Sequence, residues 1–193
     1  MTALERHASF FDPEGTGVVT WGQTYRGMQR LGVHLVWRIV LPPIIQVFLG
    51  YLTQDRLSLA IRIDRIAQGK HPFDSGVFDS NGERDATALD ALFSKAERGA
   101  ITADEMRAVI SSRGNRLPQM GAVAGILGHW FSGKEVALLF CVAADTTRMV
   151  RGRRVATITR KTLERFYDGT LFPALARARI LADSGCTAAR RLL

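Results

Sequence analysis

Apolar positions recur at helical spacing over residues 2–11, where Leu4, His7, Phe10 and Phe11 share one face. A polar, glycine-containing stretch, DPEGTGVVTW, interrupts them, and helix resumes from Gln23 to Leu31. Leu31–Leu52, LGVHLVWRIVLPPIIQVFLGYL, is almost continuously apolar and approaches the length of a membrane span. His34, Arg38 and Gln46 inside it, and Pro42-Pro43 near its middle, argue against one continuous spanning helix. The pattern predicts a buried hairpin, a monotopic membrane contact or an oligomer face. Leu57–Gln68 reads as helix from its length and alanine content, and Gly69–Asp85 is the most loop-like stretch. Thr87 is placed to cap a helix reaching about Ala96. A glycine turn with Ile101 follows, then a helix from Ala103 to Ser111. Gly121–Phe131 and Lys134–Ala144 read as further apolar helices, Arg148–Arg154 as a basic loop, and Thr159 as the cap of a helix through Phe166. Residues 1–182 are expected to form one domain and 183–193 a flexible tail.

The interruption after the first helix has the shape of a calcium loop. Such loops need oxygens at positions 1, 3, 5, 7, 9 and 12 and a glycine at position 6. Counting from Asp12, these fall on Asp12, Glu14, Thr16, the Val18 carbonyl, Thr20 and Gln23, with Gly17 at the turn. Gln23 offers one neutral oxygen where an acid would offer two charged ones, so any calcium site here is expected to be weak. The helix–loop–helix outline around Ile101 suggests a degenerate partner loop, with Val19 against Ile101 in a short ladder. The predicted class is therefore mainly α: an EF-hand-like helix–loop–helix pair, additional apolar helices, and only short two-stranded β contacts.

Composition narrows the partners. The 193 residues include 26 Lys and Arg against 18 Asp and Glu, a formal charge of +8, which favours anionic lipid or a carboxylate substrate. Nucleic acid is disfavoured because no binding module or basic-aromatic stripe accompanies the arginines Arg148, Arg151, Arg153, Arg154, Arg177, Arg179, Arg190 and Arg191. Cys141 and Cys186 make no disulfide framework, and no basic-then-apolar signal opens the chain. The expected location is intracellular, cytoplasmic or peripherally lipid-associated, and not secreted. Cys141 is expected to be an inert buried thiol.

Four histidines are present: His7, His34, His71 and His129. His71 stands out in KHPFDSGVFDSNG, where turn residues and acids present an imidazole from a loop, a setting suited to ligation or proton transfer. The ordered set ERHASFFDPEGTGVV, KHPFDSGVFD, LFSK, GNR and FYDGTLF, spread from Leu4 to about Ala178, resembles the caleosins, also called peroxygenases. That resemblance implies a b-type haem protein that associates with lipid surfaces, binds calcium, and uses a hydroperoxide to oxygenate unsaturated fatty acids and other apolar molecules. It places the two haem-associated histidines on His7 and His71 and the calcium ligands on Asp12, Glu14, Thr16, Val18, Thr20 and Gln23. Two departures stand out: Gln23 replaces the expected glutamate, and no proline-rich knot follows the apolar segment. These fit a more soluble member, with a specialised metabolite as one candidate substrate.

Under this reading one of His7 and His71 ligates iron and the other is a weak ligand or a distal acid-base group. Asp74 or Asp79 would hydrogen-bond His71, with capping of the loop as the simpler role. Trp130, Phe131, Phe140 and residues of the apolar segment would line a substrate pocket, and His34 and His129 are reserve ligands. An oligomer is compatible with the apolar segment. The alternative is a non-catalytic, calcium-binding protein of lipid surfaces, distinguished by an exposed apolar face on Leu31–Leu52; a calcium-responsive regulator is a third reading, against which Gln23 argues.

Overall fold

The computed structural model describes residues 1–54, 56, 58–69, 75–94, 96–114 and 122–190, with the backbone alone at 113–114, 122–132 and 183–190. In chain order the elements are α1 (Ala3–Ser9), β1 (Val18–Thr20), α2 (Trp21–Arg30), α3 (Leu35–Gln54), β2 (Ala60–Arg62), a 3-10 helix (Ile63–Gly69) and α4 (Ala86–Phe93). There follow β3 (Ala100–Thr102), α5 (Ala103–Gly114), α6 (Ala122–Ala143), β4 (Thr146–Val150), β5 (Arg153–Thr159), α7 (Arg160–Tyr167) and α8 (Leu171–Arg190). The mainly α class holds.

Helix–strand–helix units pair off twice. The unit α1–β1–α2 faces α3–β2–3-10 helix through an antiparallel ladder with Val19 opposite Ile61. The unit α4–β3–α5 faces α6–β5–α7 through a second ladder with Ile101 opposite Ile158. The expected Val19–Ile101 contact is therefore incorrect. Val19 and Ile101 instead each pair within their own half of the chain. The partner of β1 was hidden in Leu57–Gln68, expected to be helical, where alternating Ile61 and Ile63 form a strand end and a tight 3-10 turn. The basic stretch Arg148–Arg154 is not a loop but a hairpin that adds β4 to the second ladder. Arg151 and Gly152, at φ 48° and 77°, make the left-handed turn that suits the twist of paired strands. Arg148 turns inward to Glu105 and to the Glu97 and Ala100 carbonyls.

Local chemistry sets the helix ends. Asp85, not Thr87, caps α4, accepting from the Thr87 and Ala88 N–H groups at 2.8 and 3.2 Å. Thr159 caps α7 as its sequence position predicts. The two apolar helices expected between Gly121 and Ala144 are one continuous α6. Cys141 lies exposed on that helix, so it is not a buried thiol.

Pro42 and Pro43 do not break α3. They lie inside a 20-residue helix. Proline removes the N–H that would bond the carbonyl four residues back, leaving those of Arg38 and Ile39 without helical donors. Ile39 and Pro43 lie on the exposed side, where solvent can serve a freed carbonyl. α3 is long and apolar enough to cross a membrane by composition, with mean hydropathy 1.7 over a window that is 22% buried. Its inner side packs Leu41, Gln46, Gly50 and Thr53 into the protein, while Val36, Val40, Pro43, Val47 and Tyr51 form an exposed stripe on the other.

One polar side chain ties α3 to the first ladder. Gln46 is fully buried; its Nε2 donates to the Val19 and Leu59 carbonyls at 3.2 and 3.0 Å, and its Oε1 accepts from the Thr24 hydroxyl at 2.7 Å. Replacing it with leucine removes three hydrogen bonds made by a buried side chain, each loss being on the order of 1 kcal/mol. Gln46→Leu is expected to lower stability by about 2–3 kcal/mol in urea unfolding, whereas a solvent-side change such as Val47→Thr leaves the midpoint nearly unmoved.

Candidate functional site

Three apolar clusters meet without filling the space between them. One joins α4, α5, α6 and α7 around Leu92, Ile101, Ile158 and Leu163. A second gathers Phe10, Met28, Leu31, Val33 and Leu41, and a third Ala8, Val19, Ile61 and Ile66. At their junction is a cavity of about 320 Å³ lined by members of all three, among them Met28, Val33, Ile66, Met106 and Leu139, and by His7. That volume suits a small-molecule site with few polar groups.

His7 reaches the cavity because α1 is fixed at both ends. A reciprocal capping box between Thr2 and Glu5 starts the helix. The Leu4 N–H donates to the Gly82 carbonyl at 2.9 Å, and the Ala3 N–H to Glu83, docking the 79–83 turn against the same end. At the other end α1 presses on the turn between α7 and α8. Gly169 there has φ +81°, and a Cβ on it would come within 2.8 Å of the His7 backbone nitrogen and of the Arg6 Cβ. Only glycine permits that approach.

The approach brings His7 Nδ1 to 3.3 Å from the Phe166 carbonyl. A carbonyl only accepts, so the proton of the neutral ring sits on Nδ1 and Nε2 keeps its lone pair. Phe166 and Phe172 enclose the ring, each with centroids 4.7 Å away, at 75° and 47°. Burial pulls the imidazole from its ordinary 6.5 down to about 4, with the Phe166 bond acting weakly the other way. Although enclosed, His7 retains some accessible surface, as expected of a side chain that lines a cavity. A neutral imidazole with its far nitrogen pinned by a carbonyl is the usual preparation of a metal-binding histidine. The donor chemistry and the apolar chamber thus fit a haem.

The other candidates sort differently. His71 and Asp74 lie outside the described residues, as do the side chains of His129, Trp130 and Phe131. Gly69 and Ser75, the nearest described residues on either side of His71, both line the cavity. Asp79 holds its own turn, accepting from the Asn81 and Glu83 N–H groups at 2.9 and 2.8 Å. His34 is exposed at the start of α3, where its Nδ1 accepts from the Val36 N–H. Phe140 packs into the core cluster of α4–α7 and is not among the cavity-lining residues. The loop residues Asp12, Thr16, Val18, Thr20 and Gln23 are gathered by mutual hydrogen bonds, and Glu14 is exposed. Among the described residues no three His, Cys, Asp or Glu side chains cluster as a metal site. The residues that sequence reasoning left without a role are Phe166, Gly169 and Phe172. Their signal was FYDGTLF itself, a compact aromatic–glycine motif.

Because the folded pKa of His7 lies below the unfolded one, the unfolded chain binds the extra proton between them. The contribution of His7 is complete above about pH 6.5 and falls away as pH drops toward 4, by ~3 kcal/mol in all. Urea unfolding across that range should show a steeper slope in wild type than in His7→Phe, which keeps only the loss due to carboxylates such as Glu105 and Asp145 near the acid end. Gly169→Ala should cost about 2–4 kcal/mol, from the left-handed strain and the clash with α1; the same assay checks it.

A family model described as Caleosin related protein matches residues 1–176. A peroxygenase of Lilium longiflorum is 27% identical over 186 residues, covering 93% of this chain and 72% of that protein. A probable peroxygenase 4 of Arabidopsis thaliana is 25% identical over 183 residues, covering 91% of this chain and 86% of its own length. No solved structure matches. With nine-tenths of its length covered by that match, and its His7 chamber built from the same stretch, the chain belongs to the caleosin family.

Proposed function

We propose that this chain is a haem-dependent peroxygenase that transfers oxygen from a hydroperoxide to an apolar substrate, fatty-acid-like or a specialised metabolite. A peroxygenase role in general is supported by the two relatives that carry that name. The observation that carries the haem reading is His7: neutral, pinned through Nδ1 to the Phe166 carbonyl, and lining an apolar cavity.

His7 and His71 are the residues that would hold the group. When bound, a haem supplies the iron chemistry of hydroperoxide cleavage and oxygen transfer. The chain's own share follows from the two histidines. A base whose conjugate acid titrates near 4 is weak at neutral pH, so His7 suits the role of an iron ligand through Nε2 better than that of a proton shuttle. His71, two residues along the chain from the cavity-lining Gly69, would be the acid–base group that accepts and returns the hydroperoxide proton. Phe166 and Phe172 orient the His7 ring and exclude water from it.

The outward stripe of α3 serves as a peripheral lipid contact. Val36, Val47 and Tyr51 are 54%, 48% and 54% exposed, and cationic Arg38 and Lys134 lie over Tyr25 and Trp37 beside it. The exposed apolar face expected of a non-catalytic lipid-surface protein is present, and the peroxygenase reading uses the same stripe, so the face does not separate the two readings and the cavity must.

Absorption spectra after haem loading test the proposal. Wild type should show a Soret band. His7→Ala should weaken haem affinity at least about 10-fold, and His71→Ala should keep the band while losing oxygen transfer by about 100-fold or more. A colourless wild type overturns the enzyme reading in favour of the structural one. Flotation with phosphatidylserine vesicles tests the stripe: the double change Val40→Asp, Val47→Asp should abolish flotation and leave the melting temperature within a few degrees of wild type.

A further inference from the structure

We infer that the Gln23 side-chain amide takes the place that a cation holds in loops of this shape, so the corner between α1 and α2 is locked without metal. Asp12 is buried at the centre of the loop. Its Oδ2 accepts from the Gly17 N–H at 2.7 Å; its Oδ1 accepts from the Thr16 hydroxyl at 3.1 Å and from Gln23 Nε2 at 3.3 Å. The orientation of that amide is fixed by Thr20, whose N–H lies 2.7 Å from Gln23 Oε1. A backbone N–H has only a proton to give, so the amide oxygen must face Thr20 and the nitrogen must face Asp12.

Other oxygens of the loop face one another. The Thr16 hydroxyl, whose single proton goes to Asp12, lies 3.1 Å from the Val18 carbonyl, and the Thr20 hydroxyl donates to Gln23 Oε1 at 2.8 Å. Glu14, the second carboxylate of the loop, stands in solvent. Asp12 is thus the one buried charge, and it already has donors from Gly17, Thr16 and Gln23. The residues present do not fit a calcium site of useful affinity, which needs several carboxylate oxygens converging on one point.

Glutamate at position 23 would behave oppositely. One of its oxygens would keep the Thr20 bond, and the other would face Asp12 where the amide nitrogen now stands. Two carboxylates at that spacing repel unless a cation bridges them. A single oxygen-for-nitrogen exchange therefore decides whether the corner depends on calcium. The corner matters because Phe11, at its α1 side, packs on Gly27 of α2 so closely that a Cβ there would lie 2.3 Å from the ring. Its angle sets where α1, and His7 on it, meets α7.

Thermal melting in millimolar calcium or in chelator tests this independently of any haem. Wild type should melt at the same temperature in both, and terbium should give no sensitised emission at micromolar concentration. Gln23→Glu should melt lower than wild type in chelator and regain about 5 °C or more on adding calcium. Gln23→Leu should melt lower than wild type with no response to calcium. A calcium-dependent rise in the wild-type melt, or a Gln23→Glu protein as stable as wild type in chelator, overturns the inference. Failure of the haem reading would show in the absorption spectrum and leave these melts unchanged.

Discussion

The hydrogen bond from His7 Nδ1 to the Phe166 carbonyl joins the first helix of the chain to one that begins some 150 residues later, and much of the architecture is arranged to make it. A helix of seven residues has too little surface to place itself, and its position is dictated from outside. The 79–83 turn holds its start, the Asp12–Gln23 network holds the corner after it, and Gly169 lets its backbone lie directly on the α7–α8 turn. Each contact is backbone-based or buried, and none relies on an exposed ion pair, whose contribution would be small and salt-sensitive.

The same bond is what turns an enclosed histidine from a liability into a usable group. Burial without a partner would leave a polar ring in apolar surroundings at a cost of several kcal/mol. Here one nitrogen is satisfied by the carbonyl, and desolvation keeps the ring neutral at neutral pH. What is left over is a lone pair in a chamber walled almost entirely by hydrocarbon. Packing alone would be served by an apolar ring at lower cost, which is why the arrangement points to ligand chemistry.

α3 illustrates how one segment serves two environments. Its inner side closes the cavity through Ile45 and Leu49 and is anchored by the buried Gln46. Its outer side is equally apolar and stays about half exposed among the described residues. A helix apolar all round normally indicates full burial or a membrane. Here polar anchoring on one side, together with two prolines it tolerates, makes it a surface helix with an uncovered hydrophobic stripe.

The helical class, the glycine-cornered loop at Asp12–Gln23 and the cap at Thr159 were all legible along the chain, because periodicity, capping and ligand spacing are local properties; His7 was singled out by the family resemblance alone. The pairing of Val19 with Ile61 was not, nor was the hairpin at Arg148–Val155, since short strands carry too few residues to name their partner and pairing depends on which segments the helices bring together. Periodicity likewise could not tell which side of α3 would be covered, because both sides are apolar. FYDGTLF was visible as a motif, yet its meaning required a neighbour distant in sequence. The sequence by itself determined the mainly helical class and the shape of the loop at Asp12–Gln23. Only the tertiary structure decided that His7 would be neutral, enclosed and held by one nitrogen, since desolvation and a carbonyl supplied from the far end of the chain are not written at the position they act on.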